Sequence, residues 1–314
     1  MKVRFWGVRG SIPTPLSSRQ IQSRIAAVVQ RIEPHHLENQ QSRERFLHDL
    51  PPYIMGTVGG NTTCLEVRLK DNTTIIIDAG SGIRELGAAL KKQGEHIRVY
   101  HILFTHFHWD HIQGLPFFAP QVYDPRCEIH FYSPVPNLKA ILEEQMQKPY
   151  FPISMESMNA VLFFHKLKGN TMDIGPVTVS WRPMKHPGNS YSYKIQEEDS
   201  AFIFSSDTEL VQGDFIENPE NTAFYRGVDS LIMDSQYTLD EAIEKYDWGH
   251  SSYSLAVDFA VTWGIRKLYL FHHEPQYDDK KLYSIEQSAR WYLNHQKDSN
   301  LEIYSAIEGM EFEL

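Results

Sequence analysis

Within the stretch FTHFHWDHIQGLPFF, residues 104–118, three histidines and an aspartate fall inside six positions: His106, His108, Asp110 and His111. Bulky apolar residues flank the set, so it sits at the end of a buried strand, LFT. Neutral imidazoles and carboxylates suit zinc and related transition metals. His106 and His108 are two apart and point the same way in an extended segment. Asp110 and His111 are adjacent and diverge, which lets one short loop serve two neighbouring ions. The spacing therefore predicts a two-metal centre. A coincidental run of surface histidines is the bland alternative, and the preceding apolar strand argues against it.

Four residues are too few for two ions, and the chain offers more. RPMKHPG ends a strand-like run at His186, FIFSSDTEL ends another at Asp207, and LYLFHHEP ends a third at His272 and His273. Singly, each has an ordinary reading, such as a turn residue or a helix N-cap for Asp207. Their shared position after apolar strands joins them to the first motif. The doublet leaves His272 and His273 both open as the last ligand.

The ligand-bearing strands are part of a longer alternation. KVRFWGV (2–8), TCLEVRL (63–69) and TTIIIDAG (73–80) read as strands, with a hairpin turn at Asp71-Asn72. Residues 16–55 read as a helical insertion, not a separate domain. Ile21, Ile25, Val28, Val29 and Ile32 recur at helical spacing, a second helix covers SRERFLHDL, and Pro51-Pro52 ends it. Helices are expected at IRELGAALKKQ, NLKAILEEQMQ, SSYSLAVDFAVTWG and KLYSIEQSARWYLNHQ. Strands are expected at VYHILFT, EIHFYS, AVLFFHKL, VTVSWRPM, YSYKI, AFIFSSD, SLIMD, KLYLFHH and LEIYSA. Strand runs mixed with alternating units predict an α/β protein of two sheets with helices outside.

Composition narrows the function. With 41% apolar and 22% charged residues over 314 positions, the expectation is a soluble globular protein folded as one domain over 1–314. A net charge of −10 argues against a large basic nucleic-acid face. Cys64 and Cys127 are far apart and in no metal spacing, which favours the reducing cytoplasm over a disulfide framework. MKVRFWGVRG has no signal-peptide pattern, and no stretch approaches the roughly 20 apolar residues of a membrane span.

Together these motifs resemble the metallo-β-lactamase superfamily, and within it the ribonuclease Z-like phosphodiesterase branch. GVRGSIPTP (7–15), GGNTTC (59–64), DAGSGI (78–83), GHSS (249–252) and FHHEP (271–275) are similar to the small cyclic-nucleotide phosphodiesterases, the phage anti-Pycsar enzymes among them. The resemblance implies a four-layer αββα sandwich. It implies that His106, His108 and His186 hold one metal, that Asp110, His111 and His272 hold the other, and that Asp207 bridges both. The expected ions are two divalent metals per subunit, zinc first, with manganese or iron able to replace it. His272 is favoured over His273, which is left as a substrate contact. A homodimer is implied as well.

The reaction rests on a further pair. In YDWGHSSYSLAVDFA, His250 precedes a helix, and LIMDSQYT supplies Asp234. In ribonuclease Z-like enzymes a histidine so placed, oriented by an acidic residue, touches the scissile phosphate. An aspartate orients an imidazole and favours its protonated form, which can stabilise a phosphate oxygen or protonate a leaving alkoxide. The helix N-terminus at Ser251 and Ser252 favours an anion too. The expectation is hydrolysis of 3′,5′-cyclic nucleoside monophosphates or related small phosphodiesters by a metal-bridged hydroxide, with Asp110, Asp207, Asp234 and His250 catalytic. Ser251, His273 and Asn61 are the weaker substrate contacts. GVRGS and GGNTTC are read as structural turns, and Phe107 and Trp109 as wall packing. The rivals are RNA 3′-end processing and an idle metal-binding sensor module. No membrane and no stable nucleic-acid partner are expected.

Overall fold

The computed structural model describes residues 1–93, 97–296 and 300–314. Its strands, in chain order, are β1 Lys2–Gly7, β2 Cys64–Arg68, β3 Thr74–Ile77, β4 Val99–Leu103, β5 Glu128–Ser133, β6 Val161–Lys166 and β7 Thr171–Ile174, then β8 Val177–Met184, β9 Ser190–Glu197, β10 Ser200–Ser205, β11 Ser230–Asp234, β12 Lys267–Phe271, β13 Glu302–Ser305 and β14 Glu311–Glu313. They form two seven-stranded sheets, ordered β14-β1-β2-β3-β4-β5-β6 and β13-β12-β11-β10-β9-β8-β7. Each sheet is antiparallel in one part, as in β1–β2–β3 and β8–β9–β10, and parallel in the other, as in β4–β5–β6 and β11–β12–β13.

Burial follows the pairing. β1 alternates strictly, with Val3 and Phe5 in the core between the sheets. β11 lies deep in the parallel part and is buried on both faces, as strands covered by helices must be. The helices are α1 Ser18–Val29, α2 Gln40–His48, α3 Pro52–Met55, α4 Gly82–Gln93, α5 Trp109–Ile112, α6 Leu138–Gln145, α7 Pro219–Tyr225, α8 Leu239–Glu244, α9 Tyr253–Thr262 and α10 Asp279–Asn294. α4 and α6 close a core with Ile76, Ile102 and Phe131 on the outside of the first sheet, and α9 and α10 do so with Leu231, Leu268 and Ile303 on the second. The result is the expected αββα sandwich.

The insertion between β1 and β2 carries α1 and α2, the two helices expected there, and a third, α3, that was not. Pro51-Pro52 does more than end a helix: α2 stops at His48, and Pro52 opens α3, because a proline costs no hydrogen bond at the first helical position. Phe46, Leu50 and Ile54 make a small core there, whereas α1 buries no residue at all. Elsewhere, His101, His130 and His165 stack across β4, β5 and β6, with ring centres 5.1 and 5.3 Å apart.

Candidate metal centre

The chemistry gathers at one end of the sandwich, where the strands leave their sheets. Asp78 follows β3, His106 follows β4, His186 follows β8, Asp207 follows β10, Asp234 ends β11 and His272 follows β12. Such strand ends are where α/β sheets place their sites. Three of these residues leave the strand with left-handed backbone: Asp78 at φ 61°, Asp207 at 51° and His272 at 60°. Non-glycine residues there are strained, by about 1–3 kcal/mol each. The turn sends their side chains towards the cleft.

Among the described residues two four-membered clusters result, beside a smaller group of Asp234, His250 and His272. His106, His108, His186 and Asp207 form one, and Asp110, His111, Asp207 and His272 the other, with each group's donor atoms within 4.8 Å of one another. Asp207 belongs to both, and its carboxylate oxygens divide between them. Oδ1 lies 3.0 Å from His111 Nε2 and 3.1 Å from His272 Nε2, while Oδ2 lies 3.6 Å from both His106 Nε2 and His186 Nε2.

In four of the five histidines the outer nitrogen is spoken for; His108 instead turns Nδ1 to His186 Nε2 at 3.2 Å. His111 Nδ1 donates to Asp78 Oδ2 at 2.7 Å, His186 Nδ1 to the Gly249 carbonyl at 2.9 Å, and His272 Nδ1 to Gln236 Oε1 at 3.1 Å. Thr105 Oγ1 gives its single proton to Asp78 at 2.7 Å and so accepts from His106 Nδ1 at 3.1 Å. Such contacts fix tautomers and aim the other lone pair inward. The inner Nε2 atoms of His106 and His111 are buried with no hydrogen-bond partner. Bare imidazole nitrogens facing carboxylates at these distances repel unless a cation or a proton lies between them, and this donor set fits divalent metal ions.

Electrostatics agrees with that reading. Burial, followed by the neighbouring His111, holds His106 well below its ordinary value, and burial lowers His108 and His186, so all three favour the neutral, ligating form. Burial pushes Asp207 upwards, but His272, His111 and His106 outweigh it and keep the acid ionised. Burial also works against a charge on His111, yet Asp207, Asp110 and Asp78 raise it well above the ordinary range. Three carboxylates thus converge on His111, a negative charge that a cation would offset.

Close packing explains two of the glycine signatures. A Cβ on Gly10 would sit 2.6 Å from the His272 ring, and one on Gly249 2.3 Å from His186 Nδ1. The GVRGS segment is thus more than a turn. Ser11 N donates to Asp110 Oδ2 at 2.7 Å, and Arg9, 3% exposed, ties the segment to the carbonyls of Gly59, Glu274 and Tyr277.

His250 stands beside both clusters. Its Nδ1 donates to Asp234 Oδ2 at 2.7 Å, and its ring stacks on His272 at 5.0 Å. Burial lowers its affinity for a proton, but Asp234 overrides this and carries it up to about 9. The cleft in front has a volume of about 590 Å³. Phe107, Trp109, Pro187 and Trp248 are on its walls with His108 and His250. A larger groove, about 780 Å³, lies between the insertion and α10, but it has no comparable set of convergent ligands.

Three weaker expectations do not survive the geometry. His273 points away from the clusters and bonds the Ala306 carbonyl at 2.8 Å; burial, then Arg9, depress it to about 3. Ser251 is 1% exposed, with its hydroxyl on the Thr208 carbonyl and its N–H on Asp234, so neither group is left for a substrate anion. Asn61 holds Glu308 and Ser81 inside the GGNTTC turn. Trp109 lines the cleft without packing, at 78% exposed, while Phe107 does pack, on Phe104. Sequence reasoning missed Asp78, Thr105 and Gln236 as supports of the ligands. For Asp78 a signal was present, an acid ending the apolar run TIII beside the His106 strand.

A family model described as the beta-lactamase superfamily domain matches residues 73–273. Ribonuclease Z of Oceanobacillus iheyensis is 22% identical over 246 residues, covering 62% of this chain and 77% of that protein. Among solved structures, Zn²⁺-bound PqqB from Methylobacterium extorquens superimposes with a TM-score of 0.64 at 15% identity over the full length of both chains. Human tRNase Z, short form, superimposes at 0.61 and 17%, covering 100% of this chain and 99% of that one.

Proposed function

Because the chain belongs to the beta-lactamase superfamily, on its metallo-β-lactamase, ribonuclease Z-like branch, we propose that its cleft hydrolyses small phosphodiesters, 3′,5′-cyclic nucleoside monophosphates foremost. The observation that carries this reading is the Asp234–His250 pair set against two ligand clusters that share Asp207. His106, His108, His186 and Asp207 would hold one divalent ion, and Asp110, His111, His272 and Asp207 the other. Zinc, manganese and iron all suit these donors. When bound, the ions supply Lewis-acid activation of the phosphate and of the attacking water.

The chain's own groups do the rest. Asp234 fixes His250 with Nδ1–H bound, which leaves Nε2 as the atom available to the cleft. The protonated imidazole donates from Nε2 to the leaving oxygen as its bond to phosphorus breaks. Asp110 and Asp207 would orient the water whose oxygen bonds to phosphorus, and the proton it loses passes to solvent in the cleft. The test is hydrolysis of 3′,5′-cyclic AMP, GMP, CMP and UMP by zinc- or manganese-loaded protein. Wild type should turn over. Asp207→Ala should abolish activity, and His250→Ala should lower kcat by about 10²–10⁴-fold. Inert wild type with both ions bound would sink the reading.

A second reading is RNA 3′-end processing, favoured by the relatives named ribonuclease Z. The net charge of −10 weighs against it. Cleavage of a precursor tRNA at rates above those for cyclic nucleotides would reverse the order.

Cytoplasmic residence is part of the proposal, supported by two buried, unpaired cysteines. Among the described residues, no helix is long and apolar enough to cross a membrane. A homodimer is proposed too. Ile21, Ile25 and Val29 form an uncovered stripe on α1, and residues 18–32 carry Arg19, Arg24 and Arg31 with no acid. On α8 and just beyond it, Leu239, Ile243 and Tyr246 are exposed beside Asp240 and Glu244, while Asp247 pairs with Lys185 at 2.6 Å. Both elements reach the start of α10, through Arg24 with Asp279 and Glu241 with Tyr277. A two-fold axis between them sets the basic stripe of one copy on the acidic stripe of the other.

A further inference from the structure

Two of the six tryptophans stand in solvent at the metal cleft. Trp109 is 78% exposed and Trp248 is 61% exposed, and both line it. Neither is packed away, although indoles are strongly buried on average. Among the described residues, no other aromatic ring stacks on either one; Lys245 Nζ approaches Trp248 only to 5.7 Å.

Both are held on rigid frames. Trp109 opens α5 between His108 and Asp110, and its carbonyl accepts from Gln113 N at 2.8 Å. Trp248 precedes Gly249, whose carbonyl orients His186 and whose N–H donates to Glu209 Oε2 at 3.0 Å. The N–H of Trp248 itself donates to the Lys245 carbonyl at 3.1 Å. One indole therefore projects from held backbone next in sequence to His108 and Asp110, and the other from held backbone two residues from His250. Flat π faces beside a phosphate-binding centre are what an unpaired nucleobase stacks on. The cleft volume of about 590 Å³ is of the size that admits a small ligand.

We infer that Trp109 and Trp248 form a stacking clamp for the base, so that the substrate is a nucleotide diester and not an alkyl, glycerol or sugar one. This rests on the phosphodiesterase reading above. Stacking selects for the presence of a base and tolerates which base it is. The clamp therefore predicts activity on purine and pyrimidine cyclic nucleotides alike, graded by ring size, with purines bound more tightly.

The experiment compares a 3′,5′-cyclic nucleotide with the methyl riboside 3′,5′-cyclic phosphate, which keeps the ring phosphate and lacks the base. In Trp109→Ala and Trp248→Ala, the ratio of kcat/KM for the base-bearing substrate over the baseless one should fall by about tenfold or more, through KM. Phenylalanine at either position should restore most of it, which a merely structural role would not give. An unchanged ratio in the double alanine variant, with wild type active, overturns the clamp and leaves the hydrolase standing. Wild type inert on both substrates overturns the phosphodiesterase reading instead. In that event quenching of tryptophan fluorescence by nucleoside monophosphates still decides the clamp: quenching that is lost in the alanine variants supports it, and its absence in wild type removes it.

Discussion

His111 is held from both ends. Asp78 fixes Nδ1 at 2.7 Å, and Nε2 has nowhere to go but the ligand cluster. Replacing Asp78 with Asn keeps the size and removes the charge that orders this ring. Metal affinity should fall by about 10–100-fold, read by competition with a chelating dye, while circular dichroism stays native. Gly10→Ala is a sharper test, because the new Cβ meets the His272 ring at 2.6 Å. Half the metal content, with the His106 cluster still filled, is the expected result by elemental analysis. An unaltered affinity would show that the loop gives way. All seven expected ligands come together because they fall in four polar breaks after apolar strands, four of the seven in the one break after β4, a pattern that the sequence carries. Their supports were harder to read. Asp78 reaches His111 only because β3 lies parallel to β4, and Gln236 reaches His272 only because β11 lies parallel to β12. Neighbouring strands of a sheet are not neighbours in sequence.

Long elements with clear periodicity were legible for the same reason: burial imposes the pattern. β7, β14, α7 and α8 escaped because each is too short to show a period. β14 is the three residues Glu311–Glu313 on an edge, and α7 announces itself only by Asn218 and Pro219 at its start. A different property of the sheets lies in β4, β5 and β6, where His101, His130 and His165 share one face. Burial, and then His130 and His165, depress His101 to about 4. Its unfolded value is about 6.5. Above that pH the ring is neutral in both states. As the pH falls from about 6.5 to about 4, the unfolded chain takes up the proton first, so stability is lost in that window. Calorimetry on chelator-treated protein should give a lower Tm at pH 5 than at pH 7. His101→Phe should flatten that difference; an equal slope in the variant would rule this histidine out as a cause.

At the level of the whole molecule, the assembly can be tested by charge reversal. Arg19→Glu with Arg31→Glu should convert the proposed dimer to monomer in sedimentation velocity, and adding Asp240→Lys with Glu244→Lys should restore it. Restoration is the informative arm, because simple misfolding of α1 would not be repaired by changes on α8. The backbone at the strand ends has a wider consequence. Asp78, Asp207 and His272 occupy left-handed turns where glycine would rest easily, and glycine could not supply a ligand. Asp207→Gly should therefore leave an inactive protein that melts higher than the chelator-treated parent by calorimetry. Only bound ions can offset that strain: where metal is scarce, drift can make the fold sturdier by losing the residue that its two clusters share.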